Sequence, residues 1–143
     1  MIGIVLVGHG ALAPEVLRSI ESVLGHPVPN MVAVGATPDD TLVTLREKIS
    51  TATASVEQGD GTIILTDMYG DTATNVSMAL ARDARIQVVT GSNLPIIVKV
   101  ISARHEMTLE ELASFIVEYG RDHILRVGSG APIVPGRVSK RND

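Results

Sequence analysis

The chain has no cysteine, no tryptophan and a single phenylalanine among its 143 residues. Without thiols there are no disulfides, no thiolate metal sites and no cysteine nucleophile, and a reducing compartment suits the chain. Aromatic residues make up 2% of it, so the core must be aliphatic and a base-stacking surface is not expected. Basic residues are also scarce: 12 Lys and Arg stand against 16 Asp and Glu, a net charge of −4. That balance speaks against nucleic acid as a partner and suits docking onto a basic protein surface. No apolar run reaches the ~18 residues of a membrane span. Met1 leads into a strand with no basic segment or cleavage site before it, so the expected location is cytoplasmic.

What remains is rich in Val, Ile, Leu and Ala, and hydrophobic residues make up 45% of the chain. Its length suits one domain with one core. Strand and helix signals alternate. Ile2–Val7 is apolar and mostly β-branched, as a strand buried on both faces requires. Gly8, His9 and Gly10 form the turn that follows. A helical period covers Pro14 to Leu24 and stops at Gly25. Met31–Val34 reads as a second strand. Thr37-Pro38-Asp39-Asp40 reads as the capped start of a helix reaching about Gln58, with both carboxylates at the positive end of its dipole. Thr62–Thr66 is a third strand, ending at Asp67. A helix is expected from Thr72 to about Ala84, a fourth strand at Ile86–Thr90, and a helix from Pro95 to about Ala103. Thr108 to Glu111 is a capping box that opens a last helix, to about Gly120. Arg121 to Val127 fits either a fifth, edge strand or a helical extension. Residues 1–127 form the expected domain, and 128–143, rich in Gly, Pro and charge, a flexible tail.

This alternation predicts an α/β fold, a single doubly wound and mainly parallel sheet. The common strand order is 2-1-3-4, which makes strands one and three neighbours where the winding reverses. His9 ends strand one and Asp67 ends strand three. The two should therefore meet at the carboxyl edge of the sheet, where ligands gather in such folds. A carboxylate on one imidazole nitrogen leaves the other with a lone pair, and it stabilises the positive charge that develops on attack. A phosphoryl group is a natural electrophile there. Backbone amides around Gly10 and Gly70, with the Thr72 hydroxyl, are candidates to hold its oxygens.

The chain resembles the IIA component of the mannose-type phosphoenolpyruvate:sugar phosphotransferase system, from Ile2 to about Arg126. The resemblance lies in G-x-x-L-V-G-H-G around His9, in Asp67-Met68-Tyr69-Gly70 with Asn75 beyond it, and in Gly91-Ser92-Asn93-Leu94-Pro95, with Ala103-Arg104 in support. It implies that His9 takes a phosphoryl group from the carrier protein HPr and passes it to a IIB component during sugar uptake. It implies that Asp67 orients and charges the histidine, that no cofactor is needed, and that the membrane is reached only through the permease components. It also implies a homodimer with a C-terminal strand exchanged between subunits. One loop departs from the pattern: many members have Gly-Gly-Ser-Pro where this chain has Gly70-Asp71-Thr72-Ala73. Asp71 thereby adds a negative charge beside a site meant to receive one.

Rival readings are weaker. Gly8-His9-Gly10-Ala11-Leu12-Ala13 fits a dinucleotide fingerprint, but Met31–Val34 ends in Gly35, not in the acidic residue that motif needs. A receiver domain needs an acidic pair at the end of strand one, and glycine and histidine stand there instead. Two alternatives share the phosphohistidine: a regulatory phosphoprotein of the same fold, and the phosphocarrier subunit of dihydroxyacetone kinases. His26, His105 and His123 read as surface residues, and histidine spacing gives no metal site. Arg104 reads as a dipole partner at a helix C-terminus.

Overall fold

A computed structural model describes residues 1–68 and 70–128. In it the apolar run at the start of the chain becomes β1 (Gly3–His9), whose residues are buried up to its last, His9. The strand runs two residues past Val7, where the apolar run ends, so His9 is its final residue and lies outside the turn. The elements that follow are α1 (Leu12–Leu24), β2 (Met31–Ala36), α2 (Leu42–Val56), β3 (Thr62–Thr66), α3 (Thr72–Leu80), β4 (Ile86–Thr90), α4 (Leu94–Ala103) and α5 (Leu109–Asp122). Among the described residues the strands form one parallel sheet in the order β2-β1-β3-β4, as the alternation predicts.

Period-two alternation in β1 and β3 feeds two cores. Ile4, Leu6, Ile63 and Leu65 face α1, α4 and α5, meeting Ile20, Val100, Leu112 and Ile116. Val5, Val7 and Ile64 face the other way, onto Leu45, Ile49 and Val56 of α2 and Ala73 and Val76 of α3. Each such side chain contributes about 1.5–3 kcal/mol when fully buried. The central strands are thus clamped on both faces, and their carboxyl ends are fixed relative to one another.

Local signals mostly place the boundaries. Gly25 closes α1 with φ at 76°, and Thr108 and Glu111 make the reciprocal cap of α5. α2 is a correction. Its cap is Thr41, which exchanges hydrogen bonds with Thr44, and Thr37 lies outside the helix. Asp40 does not serve the helix dipole as expected. It accepts from Lys48 Nζ and from the Thr37 N–H, and these bonds hold its pKa down at about 2. α3 ends at Leu80, short of Ala84. At the other end of the chain, α5 reaches Asp122, covering the start of Arg121–Val127, and 124–128 form neither helix nor strand within the single chain. Most of the expected flexible tail, 129–143, lies outside the described residues.

One glycine ties β2 to the site. A Cβ added at Gly35 would overlap the carbonyl oxygen of Gly10. That oxygen belongs to backbone, so no rotamer change relieves the clash. Gly35→Ala is expected to cost about 1–3 kcal/mol, the usual penalty for overpacking. It should also displace the turn after His9. Denaturant unfolding and the NMR shifts of the His9 ring, measured on the same sample, check both effects.

Candidate active site

The winding order delivers the predicted pair. Asp67 follows β3 directly, and its N–H donates to the Val7 carbonyl of β1. Its Oδ2 accepts from His9 twice, from the backbone N–H at 2.9 Å and from Nδ1–H at 2.8 Å. Two bonds to one oxygen, 58 positions away in sequence, fix both the ring's tautomer and its orientation. Nε2 is left without a bond to Asp67. The His9 side chain is 54% exposed and that of Asp67 14%, so the ring is open to a partner while its carboxylate is shielded.

Asp71 is the third member. Sequence reading places its charge near the site. The structure places its Oδ2 3.4 Å from His9 Nε2. Asp71, not Thr72 or Asn75, caps α3, accepting from the Thr74 N–H. Thr72 is the first residue of α3 and Gly70 precedes the cap. The His9, Asp67 and Asp71 donor atoms lie within 4.8 Å of one another. Such a set has the chemistry of a divalent-cation site, which histidine spacing alone does not disclose. Here the imidazole lies between the two carboxylates.

Gly10 takes a positive φ of 56°, turning the chain from β1 into α1. Its own N–H donates to the Ala36 carbonyl at 2.7 Å, so that amide is engaged within the fold. The amides just beyond it belong to the start of α1. The N-cap of α1 is Ala11, which makes no side-chain cap. An uncapped helix N-terminus therefore begins two residues after His9, and it attracts anions. Next to it, Leu12, Ala13, Asp67, Asn93 and Leu94 line a crevice of about 150 Å³. Asn93 caps α4 with Pro95 in its first turn.

Arg104 is also placed differently from expectation. It is buried, and its guanidinium donates to the carbonyls of Ile2, Pro29 and Asn30. It braces the start of β1 against the loop before β2, and burial lowers its pKa.

Residues 3–117 match the sequence profile of the EIIA-man family, described as the fructose IIA component of the PTS system. The chain belongs to that family. Family membership makes it a IIA component of the phosphotransferase system, which serves sugar transport by phosphoryl carriage and works with HPr and IIB components. The fructose-specific EIIA component of Bacillus subtilis (strain 168) is 29% identical over 113 residues, covering 78% of this chain and 77% of that one. The EIIA structure from Streptococcus agalactiae superposes with a TM-score of 0.79 at 25% identity, covering 88% of this chain and 97% of that one. The mannose/sorbose-specific IIA subunit of Enterococcus faecalis gives 0.78 at 23% identity, covering 92% and 98%, and shows that the fold is shared. No helix among the described residues is long and apolar enough to cross a membrane.

The electrostatics of this IIA site set its pH behaviour. The Asp67 hydrogen bond and charge raise the His9 pKa above its ordinary 6.5; burial opposes them, and the charge of Asp71 adds a smaller upward push. Burial alone would raise the Asp67 pKa, but the backbone and ring bonds from His9 outweigh it and leave it lowered. Only the neutral ring has a lone pair on Nε2. Any attack by Nε2 should therefore quicken with rising pH and level off, with its midpoint above 6.5. Initial rates of ring modification by diethyl pyrocarbonate across a pH series check this. Stability runs the other way. The imidazolium's contribution to the fold is complete below the unfolded value and is lost as pH rises through the raised one. The contribution of Asp67 is present above its unfolded value and is lost as pH falls through the lowered one.

Proposed function

We propose that this IIA component is a phosphohistidine carrier in which His9 Nε2 accepts a phosphoryl group from HPr and passes it to a separate IIB component. The observation that carries this reading is the double acceptance by Asp67 Oδ2, which sets Nδ1 as donor and leaves Nε2 as the nitrogen able to attack from a half-exposed ring. Nε2 attacks phosphorus in line with the departing donor nitrogen. Asp67 stabilises the positive ring as the bond forms. Gly10 shapes the turn that exposes the α1 N-terminus, and Gly70 and Thr72 approach the phosphoryl oxygens from the opposite loop. Because the donor is itself a reactive phosphohistidine, positioning and electrostatics suffice for transfer, and no cofactor takes part.

The surroundings suit protein partners. Leu12 and Leu94 of the crevice and Met68 beside Asp67 are exposed apolar residues at the rim, as a docking face requires. The reading includes a homodimer, cytoplasmic placement and contact with the membrane only through permease components. The test is a relay reconstituted from phosphoenolpyruvate, enzyme I, HPr and a purified mannose-type IIB protein. Label should enter this chain only when HPr is present and leave when IIB is added. Label that never enters rejects the HPr step, and label that IIB cannot remove rejects the onward step.

A further inference from the structure

Asp71 uses its two carboxylate oxygens differently. Oδ1 accepts from the Thr74 N–H at 2.6 Å and caps α3. Oδ2 has no hydrogen-bond partner, although the side chain is only 8% exposed, and it stands 3.4 Å from His9 Nε2. A shielded carboxylate oxygen without a partner is unfavourable, and an imidazolium N–H is the group at hand to relieve it. With Asp67 on Nδ1, the resting ring is bracketed by carboxylates at both nitrogens. Among the described residues, these two are the charged groups that act on the ring. The bracket is asymmetric in its consequences. Asp67 faces the nitrogen that keeps its proton throughout. Asp71 faces the nitrogen that must carry phosphorus.

We propose, building on the phosphocarrier reading, that Asp71 is a counter-charge that biases His9 toward its unphosphorylated state, making this chain a reluctant acceptor and a strong donor. Before transfer, Asp71 favours a proton on Nε2. That proton must leave to water before the lone pair can attack. In the transfer itself, the N–P bond of the donor phosphohistidine breaks, its electron pair stays with the donor ring, and an N–P bond forms at Nε2. The product is a phosphoryl dianion placed against Asp71. Like charges at this distance repel, and the shielding of Asp71 limits how far solvent screens them. The repulsion is released when the group moves on to the next carrier.

Asp71→Asn keeps an oxygen to accept from the Thr74 N–H and removes the charge, and Asp71→Ser keeps a cap of a different shape. Two measurements on each need no protein partner. One is the titration of the His9 ring followed by nitrogen NMR. The other is the rate of His9 labelling by phosphoramidate near neutral pH. In both variants the titration midpoint should fall and labelling should run about tenfold faster, equivalent to about 1.4 kcal/mol. A purely capping role would move neither, since both variants still cap α3. An unmoved midpoint, or labelling no faster than in the parent chain, overturns the proposal. The phosphocarrier reading fails separately: HPr would then leave the parent chain unlabelled while phosphoramidate still labels it and the variants respond.

Discussion

His9→Ala should lose all labelling by phosphoenolpyruvate, enzyme I and HPr, falling to background and not merely to a slower rate. His9 supplies the bond-forming atom, and nothing at the site replaces it. The Asp67 and Asp71 carboxylates face the space the ring would vacate. Either could attack phosphorus only as a much weaker nucleophile, and Asp71 is tied to the α3 cap. The fold should survive, because the His9 ring is half exposed and its backbone N–H still donates to Asp67 in the alanine variant. Circular dichroism and a thermal midpoint near that of the parent separate lost chemistry from lost structure. Labelling of His9→Ala at the parent level would place the phosphoryl group elsewhere.

Asp67→Asn should slow phosphorylation about ten- to a hundredfold when measured above the His9 titration midpoint. An asparagine can present its amide oxygen where Oδ2 now sits, so both bonds from His9 can persist. What disappears is the charge. Two unit charges about 4 Å apart interact by about 4 kcal/mol at an effective dielectric of 20 and by about 1 kcal/mol in water. A half-exposed ring against a shielded carboxylate lies between these limits, which sets the expected range. Working above the midpoint matters, because loss of the charge also lowers the His9 pKa and would raise the neutral fraction at lower pH. Asp67→Ala should be slower still, since the tautomer is then no longer held. An unchanged rate in Asp67→Asn would remove the carboxylate's charge from the mechanism.

How much of this was legible in the sequence depends on what each feature requires. β1 was legible because a run of Ile, Val and Leu has few other places to go than the middle of a parallel sheet. The His9–Asp67 contact followed from winding order, since β1 and β3 become neighbours and both residues sit at strand ends. Helix caps were legible where one candidate stood alone, as at Thr108. They were misread where two competed: Thr37 and Thr41 both precede helix-forming residues, and Asp40 turned to Lys48 instead of the helix dipole. The aim of Asp71 at Nε2 was not legible, although its charge was. A loop's composition says which groups are nearby but not which way a side chain points. The role of Arg104 was hidden for a related reason. Its acceptors belong to Ile2, Pro29 and Asn30, distant segments that meet only after the sheet forms.

In the proposed relay, the imidazole nitrogen left free by a shielded carboxylate carries the phosphoryl group. Mass mapping of the HPr-labelled chain, with fragmentation that preserves N–P bonds, tests it most directly. The account predicts one added phosphoryl group, labile to acid, on His9. A phosphoryl group on His26, His105, His123 or any carboxylate, with His9 unmodified, would contradict it.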